Sequence, residues 1–122
     1  MRIAVVTGAS SGIGEATARE LARRGWRPLL VARRRERLET LATELGGEFE
    51  VCDVSDREDV DRTAAAILAR HPRVDLLVNN AGIPGRGDFF SLDAARIEAV
   101  LRTNYLGGVW LVRALEPGLQ PG

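Results

Sequence analysis

The sequence of 122 residues predicts an α/β fold, a doubly wound parallel sheet with helices on both faces. Four short apolar runs alternate with longer amphipathic segments, and this alternation implies parallel strands joined by right-handed helical crossovers. A glycine-rich loop, "TGASSGIG" (Thr7–Gly14), follows the first apolar run and precedes the first helical pattern. At this length we expect one domain over residues 1–122, with about four β-α units.

The strands are predicted from apolar runs of strand length that end at polar or glycine residues. The four runs are Arg2–Val6, Arg27–Ala32, Glu48–Val54 and Val74–Gly82, the last of which runs into a polar turn. We expect them to form one sheet with the fourth strand at a bare edge, where its backbone groups invite pairing.

The helices are predicted from apolar residues at helical spacing and from residues that begin or end helices. The four segments are Gly14–Gly25, Arg35–Gly47, a helix capped by Ser55 or Asp56 that runs to about His71, and a helix from Leu92 or Asp93 to about Leu115. Pro72 cannot continue the third helix, and "EPGLQPG" is expected to break the fourth. Several apolar residues near the end of the fourth helix are expected to be partly uncovered, namely Val109, Leu111, Val112 and Leu115.

Charge and composition argue against several classes of function. The 17 basic and 17 acidic residues balance, so we expect neither a nucleic-acid partner nor a membrane surface. No apolar run approaches the roughly 20 residues that cross a bilayer, and the N-terminus lacks the pattern of a signal peptide. We therefore expect a cytoplasmic protein. Cys52 is the only cysteine, and no Cys/His cluster predicts a metal site.

The glycine-rich loop lies where a Rossmann-type unit holds a pyrophosphate, between the first strand and the first helix. Free backbone N–H groups and a partial positive charge at the helix N-terminus stabilise an anion, and glycines let the backbone approach it closely. The expected loop contacts are Gly8, Ser10, Ser11, Gly12, Ile13 and Gly14.

The spacing of this loop, T-G-x-x-x-G-I-G, resembles that of the short-chain dehydrogenase/reductase family. Three further stretches carry the resemblance in the expected order, "CDV" (Cys52–Val54), "NNAG" (Asn79–Gly82) and "TNYLGG" (Thr103–Gly108). Together the four motifs cover the whole chain. The resemblance implies the N-terminal, cofactor-binding half of such an enzyme.

The resemblance also implies roles for residues at the ends of the third and fourth strands. Asp53 would bond the adenine amino group, and Val54 would flank the ring. The "NNAG" residues, which are Asn79, Asn80, Ala81 and Gly82, would line the ribose of adenosine and tie the fourth strand to its neighbours. A purely structural role for Asn79 is equally supported, and Asn80 is the stronger candidate contact.

Arginines at the end of the second strand favour NADP(H) over NAD(H). An acidic residue there bonds the ribose 2′-hydroxyl, whereas arginine accommodates a 2′-phosphate. The sequence has three consecutive arginines at this point and no acid among them. Arg33 matches the family's arginine best and Arg34 second, and Ser11 would add a hydroxyl to the same phosphate. We interpret Arg35 and Arg37 as a solvated helix start.

The implied reaction is hydride transfer between NADPH and a small carbonyl or alcohol substrate. The family uses a serine, a Tyr-x-x-x-Lys pair and a helix-borne asparagine, and of these only the asparagine is matched, by Asn104. Tyr105 is the only tyrosine, Val109 lies four residues on, and all 17 basic residues are arginine. We therefore interpret Tyr105 as a packing residue.

Two interpretations of the chain follow. We expect a fragment of a longer enzyme, inactive by itself, and the family implies that the full protein is a homo-oligomer, a dimer or a tetramer. The alternative is a half-domain that binds NADP(H) without catalysis and needs a partner. The substrate cannot be predicted from these residues. We interpret Cys52 as a small core residue and His71 as a helix-end residue rather than as catalytic groups.

Overall fold

A parallel four-stranded sheet forms the centre of the computed structural model, which describes residues 1–10, 12–80, 94, 95, 98 and 106–119. The strands are β1 (Ile3–Thr7), β2 (Arg27–Ala32), β3 (Glu48–Val51) and β4 (Leu76–Val78). They are arranged in the order β3-β2-β1-β4, so among the described residues β4 lies at an edge, as predicted. The α/β class and the parallel sheet are thereby confirmed.

Helices connect and cover these strands. They are α1 (Gly12–Arg23), α2 (Arg35–Leu45), α3 (Arg57–Arg70) and α4 (Gly107–Leu119), and residues 94, 95 and 98 are also helical. Asp56 caps α3, as predicted, because its carboxylate accepts hydrogen bonds from the backbone N–H groups of Glu58 and Asp59. Gly46 ends α2 at a φ of 65°, in the left-handed region that glycine adopts without strain. The predicted start of the last helix, at Leu92 or Asp93, lies outside the described residues.

The strands alternate their side chains between two apolar layers. Val5, Leu29 and Val31 face the layer that contains α3 and α4, whereas Val6 and Leu30 face the layer that contains α1 and α2. All five side chains are at most 1% exposed. A strand that is buried on both faces must be apolar at every position, which explains the continuous apolar runs of the sequence.

Two strands are shorter than predicted because hydrogen bonds outside the sheet replace the sheet hydrogen bonds at their ends. β3 ends at Val51 rather than Val54, since the carboxylate of Asp53 accepts hydrogen bonds from Ser55 and begins a turn. β4 spans Leu76–Val78 rather than Val74–Gly82. The backbone N–H of Asn80 donates to the Thr7 hydroxyl at 2.8 Å, and Val74 donates to a carbonyl of α4.

The predicted break of the last helix before Pro117 is wrong, because α4 continues to Leu119. Contacts with the rest of the fold hold its last turn. The carbonyl of Gly118 accepts a hydrogen bond from Val74 N at 2.9 Å. A side-chain carbon at Gly118 would lie 2.6 Å from Leu68, so the turn packs tightly on α3. These contacts offset the hydrogen bond that proline removes.

The expectation that four apolar residues of α4 would be partly uncovered is wrong for two of them. Leu111 and Leu115 are fully buried between the sheet and α3, whereas Val109 and Val112 are each 46% exposed. No helix of the described residues combines the length and the apolar character that a membrane crossing requires.

Candidate functional site

The candidate site lies at the carboxyl ends of β1 and β4, where the strand order reverses. The chain runs from β1 outward to β2 and β3, and then returns to pair β4 with the other side of β1. In open α/β sheets a crevice forms outside the carboxyl ends of the strands at this reversal, and ligands bind there. Thr7 ends β1 and Asn79 follows β4, so both lie at this crevice.

The loop from Thr7 to Gly14 has two glycines whose backbone conformation excludes most other residues. Gly8 and Gly12 have φ angles of 62° and 59°, in the left-handed region. A side-chain carbon added at Gly12 would meet nothing within 4 Å, and the neighbouring Ile13 is 75% exposed. The loop therefore leaves open space beside the N-terminus of α1, whose first N–H groups have no partner within the helix.

Gly14 has a different role, since it is buried and lets two backbone segments touch. A side-chain carbon there would overlap the carbonyl oxygen of Gly8 and lie 2.7 Å from its carbon. It would also lie 2.9 Å from Nδ2 of Asn80. Among the described glycines of the loop, Gly12 faces open space, whereas Gly14 joins α1 to the end of β1 and to the segment after β4.

Thr7 links β1 to β4 at the base of the crevice. Its side chain is fully buried, and its hydroxyl accepts a hydrogen bond from the backbone N–H of Asn80. The same hydroxyl lies 3.4 Å from the carbonyl oxygen of Val78 and 3.3 Å from Oδ1 of Asn79, within reach as a donor. We did not identify Thr7 from the sequence, although it is the only polar residue of β1.

The side chains of Asn79 and Asn80 both pack against other segments of the chain at this end of the sheet. The Asn79 side chain lies against Gly108 of α4, where an added carbon would overlap its amide group. Together with the contact to Thr7, this favours the structural role for Asn79 that the sequence left open. The Asn80 side chain is half-buried and lies against Gly14.

Arg33 and Arg34 lie at the carboxyl end of β2, and both are exposed. Arg34 occupies the N-cap position of α2 but makes no side-chain capping hydrogen bond. Within the part of the chain that the structure describes, neither guanidinium has an ion pair or a side-chain hydrogen bond. Arg35, the next residue, instead lies over the ring of Phe49 at 5.4 Å and is 3.9 Å from Glu39.

Arg37 is exposed in the first turn of α2, as predicted, and it also contacts the glycine loop, which the sequence did not predict. Its Nε donates to the backbone carbonyl of Ser10 at 2.6 Å, and its Nη2 donates to Glu15 at 3.1 Å. The side chain remains 54% exposed. No local signal in the sequence marks this residue, because the contact forms only when the first turn of α2 packs beside the loop.

Asp53 and Val54 follow β3 at the same end of the sheet. Oδ1 of Asp53 accepts hydrogen bonds from the backbone and the hydroxyl of Ser55, at 3.0 and 2.6 Å. The backbone N–H of Asp53 donates to Asp59 at 2.8 Å. Val54 is only 7% exposed and packs in the core beside α3, so little of its surface is available to a ligand.

Cys52 and His71 lie outside the crevice. Cys52 is 1% exposed, and burial raises the pKa of its thiol to about 11. His71 ends α3 and lies 2.8 Å from Glu48. Glu48 begins β3, so this pair is at the amino end of the sheet, away from the candidate site. Cys52 is thus a core residue and His71 a helix-end residue, as predicted.

Four residues predicted for the site lie outside the described residues, namely Ser11, Ala81, Gly82 and Asn104. Within the described ranges, no group of three or more His, Cys, Asp and Glu residues is arranged to hold a metal ion. The described residues therefore offer open backbone at a helix N-terminus and, just after the neighbouring strand β2, two arginines that are unpaired among them. Both features suit phosphate groups.

Comparisons with known proteins agree with this geometry. The family model described as short chain dehydrogenase matches residues 2–121. The Bos taurus protein "Dehydrogenase/reductase SDR family member 13" is 42% identical to this chain over 129 residues. That match covers 98% of this chain and 32% of the relative, so the chain spans about a third of the relative's length.

Solved structures match the fold closely. An alcohol dehydrogenase from the archaeon Thermococcus sibiricus, complexed with 5-hydroxy-NADP, gives a TM-score of 0.91 at 38% identity, over 97% of this chain and 53% of that one. A metagenomic short-chain oxidoreductase in complex with NADP gives a TM-score of 0.87 at 40% identity, over 96% and 56%. The chain thus spans about half of each structure. The sequence motifs, the sheet order and these matches establish that the chain belongs to the short-chain dehydrogenase family.

Proposed function

We propose that the protein is an NADP(H)-dependent oxidoreductase that transfers a hydride between NADPH and a small carbonyl or alcohol substrate. The observation that carries the cofactor preference is the unpaired state of Arg33 and Arg34 at the carboxyl end of β2. A 2′-phosphate at this position would form charge-assisted hydrogen bonds with a guanidinium. The free 2′-hydroxyl of NADH would need an acidic acceptor, and no acid precedes the arginines on β2.

The remaining described residues fit the other parts of a dinucleotide. The open backbone at Gly12 and the N-terminus of α1 would bind the pyrophosphate. Asp53 would accept a hydrogen bond from the adenine amino group through Oδ2, because Ser55 occupies its other oxygen. The two solved structures are complexes with 5-hydroxy-NADP and with NADP, which supports the same class of ligand here.

Carbonyl reduction requires a hydride at the carbon and a proton at the oxygen. The bound nicotinamide supplies the hydride, which carries both electrons, and a positioned acid supplies the proton. Asn104 would assist the proton path, as the family resemblance implies. A Tyr-x-x-x-Lys pair is not present in these 122 residues, which hold one tyrosine and no lysine. The proposed catalysis therefore refers to the full-length protein that the gene encodes.

The cofactor preference is tested by Arg33→Ala, with Arg35→Ala as the matched control. One charged hydrogen bond contributes about 1.5–3 kcal/mol, so the Kd for NADPH should rise about tenfold or more. The Kd for NADH should stay nearly unchanged, and Arg35→Ala should alter neither value, since Arg35 lies over Phe49. Equal weakening of NADPH and NADH by Arg33→Ala would refute the assignment.

The alternative function is an NADP(H)-binding half-domain without catalysis. The intact mass of the natural protein separates the two proposals. A mass well above 13.3 kDa, with a downstream Tyr-x-x-x-Lys and carbonyl reduction, supports the oxidoreductase. A mass of 13.3 kDa with tight NADPH binding and no turnover supports the binding module.

We propose two further properties of the full protein. The full protein is a homo-oligomer, a dimer or a tetramer, because α4 leaves Val109 and Val112 exposed and β4 is an edge of the described sheet. Its location is cytoplasmic. Light scattering of the purified protein tests the first property, and imaging of the tagged protein tests the second.

A further inference from the structure

One side chain joins the glycine loop to the helix that follows the unpaired arginines. Arg37 lies in the first turn of α2 and bonds the backbone of Ser10 at 2.6 Å and the carboxylate of Glu15 at 3.1 Å. Glu15 also accepts a hydrogen bond from Arg19 at 3.2 Å, and Arg19 pairs with Glu44 near the end of α2. A continuous series of ion pairs thus connects both ends of α2 to the start of α1.

The contact with Ser10 matters because of the loop's conformational freedom. Two glycines of the loop, Gly8 and Gly12, adopt left-handed φ angles, and glycine backbone has many alternative conformations to populate. A guanidinium that holds one carbonyl also holds the plane of that peptide unit, since the unit is rigid. Arg37 therefore reduces the conformations that the loop can sample.

Electrostatics makes the direction of this carbonyl important. The oxygen is the negative end of the peptide dipole, so a carbonyl that turns towards a bound anion repels it. Arg37 keeps the Ser10 oxygen beside a positive charge on α2. The N–H groups at the start of α1, which lack partners within the helix, are then not opposed by the Ser10 carbonyl.

We propose that Arg37 is a positioning residue, which holds the loop in its anion-binding conformation without touching the nucleotide. This inference rests on the proposed function, because it assigns the loop to the pyrophosphate. The pyrophosphate is common to NADPH and NADH, so Arg37 acts equally on both. Loss of Arg37 should therefore weaken the binding of NADPH and NADH equally, whereas loss of Arg33 should weaken the binding of NADPH alone.

The test uses Arg37→Ala in the protein as its gene encodes it, with titrations of NADPH and NADH and with amide hydrogen exchange. Both Kd values should rise about fivefold, because a partly exposed charged hydrogen bond contributes about 1 kcal/mol. Without nucleotide, exchange of the amides between Gly8 and Gly14 should accelerate by about the same factor, while exchange in β2 stays unchanged. Arg37→Lys should recover part of both effects, since lysine retains one donor for the carbonyl.

Arg23→Ala is the matched control, because Arg23, on the surface of α1, pairs among the described residues with Glu20 alone and should leave both readouts unchanged. Faster exchange throughout the protein in Arg37→Ala would mean a general loss of stability and overturn the inference. Weakening of NADPH alone would indicate a direct phosphate contact, and unchanged Kd values and exchange would indicate a surface ion pair only. If the wild-type protein binds neither nucleotide, the proposed function fails, and the loop exchange still decides whether Arg37 holds the loop.

Discussion

Replacement of Gly14 by alanine should separate α1 from the end of β1. The added carbon would overlap the carbonyl oxygen of Gly8, lie 2.7 Å from the carbonyl carbon and lie 2.9 Å from Nδ2 of Asn80. Side-chain carbons essentially never approach other atoms this closely. The nearest neighbour is backbone at the start of the loop, which cannot rotate away as a flexible side chain would. The helix itself must therefore move.

The expected loss of stability follows from the cost of overpacking. Forced insertion of a carbon into a packed site costs about 1–3 kcal/mol, and a backbone neighbour favours the upper end, about 3 kcal/mol. Gly25→Ala is the matched control, because Gly25 has a φ of 88° but open space around its added carbon. Backbone strain alone costs about 1–2 kcal/mol there. Gly14→Ala should thus cost more than Gly25→Ala.

Urea unfolding of the two variants measures this difference, and NADPH titration measures its consequence for the site. Gly14→Ala should weaken NADPH because the N-terminus of α1 moves relative to the loop, whereas Gly25→Ala should leave the affinity unchanged. A loss of stability in Gly14→Ala that is smaller than in Gly25→Ala would refute the inferred contact between α1 and Gly8.

Two further predictions concern titratable groups of the fold. Hydrogen bonds from the backbone N–H of Ile3 and from Arg73 lower the pKa of Asp75 below its unfolded value. The ionised carboxylate therefore stabilises the protein above about pH 4. This stabilisation is lost as the pH falls through the folded pKa. Asp75→Asn should therefore flatten the decline of the urea midpoint between about pH 5 and pH 2, and an unchanged slope would contradict the assignment. Burial raises the pKa of Cys52 to about 11, which lowers the fraction of reactive thiolate at about pH 8. Its reaction with a thiol reagent should therefore be at least ~100-fold slower in the native protein than in urea. Comparable rates in the two states would show that the thiol is not buried.

The alternation of strands and helices could be predicted because burial fixes the composition of each strand. The bounds predicted for β2 match those observed, since every residue from Pro28 to Ala32 is buried and a charged arginine precedes them. Both ends of α3 were also predictable, because Asp56 caps its start and Pro72 cannot continue the helix. These signals are local, so they can be interpreted without knowledge of the fold.

Other features depend on contacts between distant residues, which local patterns do not encode. Pro117 was expected to end α4, but Val74 and Leu68 hold the turn that contains it. Arg37 is exposed, as predicted, but its contact with a loop 27 residues earlier in the chain was not predicted. The prediction for Pro117 was wrong because local propensity was weighed without the tertiary contacts that override it.

The two ends of the sheet use arginine in opposite ways. At the amino end, Glu48 is 16% exposed and lies within 3.1 Å of Arg27, Arg70 and His71. Burial acts to raise the pKa of Glu48, but the hydrogen bonds from Arg27 and His71 outweigh it and lower the pKa. At the carboxyl end, two adjacent arginines after β2 have no carboxylate partner among the described residues. Because two adjacent positive charges repel each other, this pair of arginines contributes nothing to the stability of the fold until an anion binds. A 2′-phosphate would supply the counter-charge that Arg33 and Arg34 lack among the described residues, whereas Arg37, at the same end of the sheet, already pairs with Glu15.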